Sequence, residues 1–412
     1  MILVDTKDAP EDSSPLLPVA GPSMEPPPRF EDSASDAHIQ LDFSEDQDPA
    51  LYEAPFSEPP PDFAPYDAEF WDSGHGNIVS HDPHLNKDGE ALYRFLLSQA
   101  RTPPKLSLHI RGDHQETRWR TVSRTSNGET HTEQESYTET VVDFDFVIGL
   151  DRYILPDVAQ WSVLDTDPVY RGRMVQEILG DAPRKALRKE KKKFGQWRKR
   201  RDGLGLPPWV APDESLHMHT MRSTKTVRQW ADQYCESPKK LKEFTYVKTI
   251  YGWDLNALER AVRRVITGTT LYQHNLVVSF ERTANKIYIR SDNRLSRALS
   301  NKWIKFLSII LFIFPFIWLW KRFSSKGGGR WEVCGGAYPM KKWVSVEEED
   351  LIGKSKGASA KKLVGLKEAD WLQEWTPTVL DCVRRRLELY VPIEVPVQSA
   401  SGLAHQELLG FS

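Results

Sequence analysis

Three groups of side chains invite chemistry. His81-Asp82-Pro83-His84, with His75 just upstream, offers imidazoles and a carboxylate of the kind that ligate transition metals. Their spacing matches no established zinc pattern, and His or Asp ahead of a helix usually caps or turns the chain, so no metal ligand is assigned. Asp143 and Asp145 alternate onto one face of a strand and suit acid–base work, although alternation alone makes them a polar outer face. Cys334, followed by Gly335 and Gly336, is a candidate nucleophile with no histidine close in sequence, or a lipidated thiol beside an apolar segment. The chain contains no G-x-x-x-x-G-K-[ST], which disfavours a P-loop ATPase. No catalytic, cofactor-binding or metal-binding residue is therefore assigned, and the expectation leans toward a non-enzymatic protein.

The elements that would carry these residues read as α+β. Asp88 caps a short helix with Leu92, Phe95 and Leu96 on its inner face, ended by Pro103-Pro104. Alternation over 105–112, 117–125, 130–141 and 142–148 predicts an antiparallel β-meander, with Ser126-Asn127-Gly128 as a hairpin turn. A strand over 244–251, a helix capped by Asp254, and strands over 276–280 and 286–289 predict a β-α-β-β unit that completes the meander. A later amphipathic helix is expected over 377–390, entered through Thr376-Pro377.

Charge divides the chain. Residues 1–72 carry a net charge of −16 and 13 of the 28 prolines, too little apolar surface to offset ordering entropy. They read as a disordered leader, acidic and studded with aromatics, that suits docking of a protein partner. Residues 73–412 carry a net charge of +13, so the sequence pI near 6.4 describes neither part. Much of the excess lies in 184–201, where 11 of 18 residues are basic: Arg184, Lys185, Arg188, Lys189, Lys191, Lys192, Lys193, Arg198, Lys199, Arg200 and Arg201, interrupted by Phe194 and Trp197. A helical insert over 182–202, starting at Asp181 and Pro183, followed by a linker over 203–216, fits this pattern. These cations and Trp197 are candidate contacts for anionic lipid head groups, since each basic residue near a charged leaflet contributes roughly 1 kcal/mol. Nucleic acid is the less favoured ligand.

That preference rests on a second feature. Residues 306–320 (FLSIILFIFPFIWLW) form 15 consecutive uncharged residues, extended to 18 by Trp303, Ile304 and a snorkelling Lys305. At 1.5 Å per residue this is roughly 27 Å, at the short end for a spanning helix. Trp303, Phe306, Pro315, Trp318 and Trp320 mark the segment, with the tryptophans where interfacial aromatics belong and Pro315 placed to kink it. A short kinked segment either spans a thin membrane or dips in and returns. Gly327-Gly328-Gly329 then reads as a flexible joint to a C-terminal tail, 321–412. Cys235, Cys334 and Cys382 lie too far apart for a disulfide framework, none of the eight asparagines sits in a glycosylation sequon, and no apolar run follows a basic start. The expected location is an endomembrane such as the endoplasmic reticulum, with the body over 73–300 in the cytosol.

The blocks HDPHLNKDGEALYRFLLSQ (81–99), HIRGDHQETRWRTV (109–122), VVDFDFVIGL (141–150) and 301–338 (NKWIKFLSIILFIFPFIWLWKRF, then GGGRWEVCGGAY) resemble a family of uncharacterised fungal membrane proteins over roughly residues 75–390. The resemblance implies a membrane protein and no activity. The leading expectation is a membrane-anchored α+β protein that contacts anionic lipid or recruits partners. Its rivals are a lipid-handling protein with an apolar cavity walled by Phe144 and Phe146, and a membrane enzyme using His81 and His84.

Overall fold

The computed structural model describes residues 64–126, 129–180, 182–210, 223–270, 272–345 and 361–397. The chain divides into two units, Met1–Leu41 and Asp42–Ser412, and every described residue belongs to the second. The disordered leader expected over 1–72 lies outside the described residues as far as 63. Its last residues belong to the body: Ala68 is buried, Phe70 packs on Phe95 and Trp71 stacks on His81.

Strands β1 (Trp71–Asp72) and β2 (Ile78–Ser80) precede helix α1 (Gly89–Ala100) and the long strands β3 (Lys105–Ser126) and β4 (Glu129–Gly149). Strands β5 (Ala159–Ser162), β6 (Val169–Arg173), β7 (Gln176–Ile178) and β8 (Arg184–Lys185) lead to helices α2 (Arg188–Gly203) and α3 (Val227–Glu236). Then come β9 (Leu241–Tyr251), α4 (Leu255–Thr270), β10 (Asn275–Thr283) and β11 (Lys286–Arg290), followed by α5 (Arg294–Ser300), α6 (Lys302–Ile310) and α7 (Ile313–Phe323). The described chain closes with β12 (Gly328–Pro339), β13 (Lys341–Ser345), β14 (Lys361–Gly365), α8 (Glu368–Arg384) and β15 (Glu388–Ile393).

The fold is α+β, with mixed sheets. One sheet runs β1-β2-β11-β9-β12-β6-β7-β8, with β5 also on β12; a second runs β10-β3-β4-β15; β13 and β14 form a separate pair. The expected meander is instead one long hairpin. A β-bulge at Asp143 of β4, opposite Gly112 and Asp113, stands in place of the expected turn, so 105–126 stays one strand. The β-α-β-β unit is present as β9-α4-β10-β11 but is split: β10 pairs with β3, whereas β11 pairs with β9 in the larger sheet. Residues 203–210 are no linker, because Leu206, Trp209 and Val210 are buried against Tyr251.

β9 holds the centre. It is hydrogen-bonded on both sides and buried on both faces, and its two lysines serve the core. Lys242 Nζ donates to the carbonyls of Asn86, Tyr234, Cys235 and Ser237, closing the end of α3, and Lys248 Nζ donates to those of Gln99 and Thr102 at the end of α1. Burial lowers the pKa of both, that of Lys248 to about 8. Phe244, Trp331, Trp230 and Tyr234 fill the adjoining core. In the second sheet Leu106, Leu108, Ile110, Phe144, Phe146 and Ile148 are buried, and α4 and α8 pack against it.

The C-terminal segment is no tail. β12 lies between β9 and β6, α8 starts at Glu368 with Pro377 inside it, and β15 adds to β4 in parallel. The helix expected over 377–390 therefore begins nine residues earlier.

Candidate membrane-contact site

The apolar segment forms two helices. Asn301 caps α6, its side chain accepting from the Trp303 N–H at 2.9 Å. The helix stops at Ile310, Phe312 adopts a left-handed backbone (φ 56°), and α7 leaves at a bend of 104°. The expected kink at Pro315 thus falls three residues earlier. Pro315 has no N–H to give the Leu311 carbonyl and its ring would clash there, so continuous helix is excluded. In the first turn of α7 its missing donor costs nothing, because that N–H has no intrahelical partner anyway.

No side chain of α6 or α7 is buried. Trp303 is 79 % exposed, Phe312 76 % and Phe316 71 %; Phe306, Trp318 and Trp320 are also exposed. Soluble surfaces rarely display so long a contiguous apolar run, which makes this hairpin the candidate contact surface. No single helix among the described residues is long and apolar enough to cross a membrane; this bent pair meets the length and composition together.

The charges sort by position. Lys302, Lys305, Lys321 and Arg322 lie at the open ends of the two helices, and the apex from Phe306 to Trp320 has none. Trp303 and Trp320 likewise flank Phe312 at nearly equal distances along the chain. Arg322 covers the Trp318 ring at 5.3 Å and Lys305 that of Phe314 at 5.8 Å. At the root, Arg290 pairs with Glu243 at 2.8 Å, and Arg330 lies 3.7 Å from the same carboxylate.

Both ends of the hairpin enter one sheet. The chain returns through Lys326 and Gly327, whose carbonyls accept from the N–H groups of Lys240 and Leu241, and β12 then runs parallel to β9 from Gly328↔Leu241 to Pro339↔Tyr251. The glycines at this return are a close-packed strand entry, not a flexible joint. A side chain at Gly327 would begin 2.3 Å from the Trp320 carbonyl oxygen, and one at Gly328 2.1 Å from Lys321 Cγ. On the other root, His81 is buried, its Nδ1 donating to the Ser291 carbonyl at 2.8 Å and its Nε2 sharing the Ser300 hydroxyl at 2.9 Å.

The basic run forms a separate surface. α2 begins at Arg188, with the Glu190 carboxylate accepting from the Leu187 N–H, not at Asp181 or Pro183. Arg184, Lys185, Arg188, Lys189, Lys192, Lys193, Arg198, Lys199 and Arg200 are exposed and Lys191 is half-buried. Two expected lipid contacts are corrected. Arg201 is buried and donates to the Pro208 carbonyl, and Trp197 is half-buried against the cluster of Leu206, Trp209 and Tyr251. The end of α2 packs by Gly203 and Gly205 against Asn256 and Trp253, at the opposite end of β9 from the hairpin root.

The groups with chemical potential are otherwise engaged. Both ring nitrogens of His81 are bonded, His84 is exposed beside Asp88, and no group of three or more metal-capable side chains occurs among the described residues. Cys334 is buried in β12 and burial pushes its thiol far up, which removes it from nucleophile or lipid-attachment chemistry. Asp143 and Asp145 are not a wet outer face: they are 7 % and 4 % exposed. Asp145 meets His109 Nε2 at 2.6 Å; Asp143 accepts from Tyr272 at 2.8 Å and lies 3.0 Å from His114 Nδ1. Burial would raise the Asp143 pKa, but the bonds from Tyr272 and His114 outweigh it and hold it low, while burial and Asp143 raise that of Tyr272. Asp143 is thus held as a carboxylate rather than poised as a base near neutrality. The bulge that re-aims Asp143 and the partner Tyr272 are not visible in strand alternation.

Phe144 and Phe146 are fully buried in the second sheet. A cavity of about 340 Å³ lies beside Trp331, but Arg171, Arg173, Glu236 and Lys239 make it polar. Sequence reasoning also missed α3. Thr226 with Gln229 three residues on, and Val227, Trp230, Ala231 and Tyr234 at helical spacing, are the signal for it. Comparison of the chain with protein-family models, curated proteins and solved structures found no match.

Proposed function

We propose that this protein attaches to membranes from one side, using the α6–α7 hairpin as a non-spanning anchor for an α+β body. The observation that carries this reading is the combination of an apolar hairpin with no buried side chain and flanks that build one sheet. β11 and β12 are both hydrogen-bonded to β9, so crossing the bilayer between them would tear the sheet. A hairpin that enters and returns keeps it intact. Burying each large apolar side chain contributes about 1.5–3 kcal/mol, and several are exposed here. Trp303, Trp318 and Trp320 then sit at the head-group level, with Lys302, Lys305, Lys321 and Arg322 facing anionic lipid. The exposed cations of α2 form a second surface for anionic lipid, and the acidic leader supplies a segment for protein partners. The setting that suits this arrangement is the cytosolic face of an endomembrane.

Co-flotation with vesicles of phosphatidylcholine and phosphatidylserine tests the anchor. The full chain is expected to float, and Phe312→Asp to lose at least tenfold in bound fraction while its melting temperature stays unchanged, because the side chain touches no core. Undiminished flotation of that variant would overturn the anchor.

A further inference from the structure

We infer that the surface this hairpin fits is a single phospholipid leaflet, so that a monolayer coating neutral lipid is a target at least as good as a bilayer. This rests on the attachment reading above and goes beyond it by naming the kind of lipid surface. The geometry sets the depth. α6 and α7 have 9 and 11 residues and bend by 104°. At 1.5 Å per residue the arms are about 14 and 17 Å long and close an angle of roughly 76°, which places the apex roughly 12 Å below the line joining their open ends. One leaflet of a bilayer supplies about 15 Å of hydrocarbon. The hairpin therefore ends inside the leaflet it enters.

The side chains agree with that depth. A segment emerging on a far side would need polar residues where it emerges. At the apex this chain has Ile309, Ile310, Leu311, Phe312, Ile313 and Phe314, and its nearest charges, Lys305 and Lys321, lie back toward the open ends. The broken backbone at the apex is also economical: the N–H groups of Leu311 and Phe312 are bonded to the Leu307 and Ile309 carbonyls, and Pro315 removes one of the unpaired donors that a helix start would leave in hydrocarbon. A wedge confined to one leaflet expands that leaflet against an unexpanded partner in a closed bilayer. A monolayer over oil has no opposing leaflet, so this cost disappears. Insertion of shallow apolar elements is sensitive to such packing.

The test compares two particles with the same phospholipid, phosphatidylcholine and phosphatidylserine at 4:1: triolein droplets coated with a monolayer, and bilayer vesicles. The full chain is floated with each at equal accessible phospholipid. Bound protein on droplets equal to or above that on vesicles is expected, with Phe312→Asp and Ile310→Asp losing at least tenfold on both. Binding to vesicles but less to droplets would overturn the single-leaflet inference and leave membrane attachment standing. Absence of binding to either particle would overturn the attachment reading itself. Equal droplet binding by both aspartate variants would remove the hairpin from the interaction.

Discussion

His81 shows how far one side chain's role depends on its surroundings. In sequence it stands in an apparent ligand cluster; in the fold it joins the carbonyl of Ser291 after β11 to the hydroxyl of Ser300 just before α6, with Trp71 stacked on its ring. Burial lowers its pKa, Arg290 and Arg297 lower it further, and the Ser291 carbonyl and Asp292 act the other way. A histidine whose folded pKa lies below its unfolded value of 6.5 favours the neutral form in the native state. Its contribution to stability is then fully present above pH 6.5 and declines as pH falls from there toward the folded pKa. The melting temperature should therefore drop on going from pH 7.5 to 5.5, and drop less in His81→Gln. An identical drop in the two proteins would show that another group governs the acid response. Nothing in HDPH distinguishes such a pin from a metal ligand, because the partners lie some 210 residues away in sequence.

At the scale of elements, β12 is the piece on which the fold turns. Its sequence, GGRWEVCGGAYP, reads as a joint followed by a short strand, yet it is a central strand with β9 on one side and β5 and β6 on the other. Its glycines permit that approach. A side chain at Gly335 would begin 1.9 Å from the Val247 carbonyl oxygen and 2.9 Å from the Trp161 ring. Gly335→Ala must push β12 away from β9, and the expected loss is about 3 kcal/mol, read as a lower urea midpoint. A midpoint within error of the native protein would contradict this packing. The same logic explains which elements were legible. α1 and α4 announce themselves by caps and helical periodicity within one segment. By contrast, β5 to β8 are 2–5 residues long and take their strand identity from neighbours contributed by distant chain.

For the whole molecule, the decisive fact is that the chain before and after the hairpin makes one sheet. A tag at each terminus, examined in intact microsomes, should show both tags open to protease while the protein stays with the membrane through alkaline extraction. A protected C-terminal tag would mean that β12 lies across the bilayer from β9, and would overturn the one-sided arrangement. The two cationic surfaces differ in place as well as in charge: the hairpin root adjoins Leu241 and Gly328, whereas α2 ends by Trp253, past the other end of an 11-residue strand of roughly 35 Å.

The sequence by itself determined the features that depend on local composition. The opposed charges of leader and body, the unbroken apolar run with its tryptophans, and the basic run that becomes α2 need no partner to be seen. Only the tertiary structure decided how the described segments are arranged. Local periodicity cannot report which strand a segment pairs with, so it could not say that 328–339 returns to β9, that Arg201 and Trp197 turn inward, or that Asp143 and Asp145 are buried beside histidines. The bend at Phe312 lies between the two: Pro315 dictates that the helix must break, and the requirement that both ends reach one sheet makes the break a reversal.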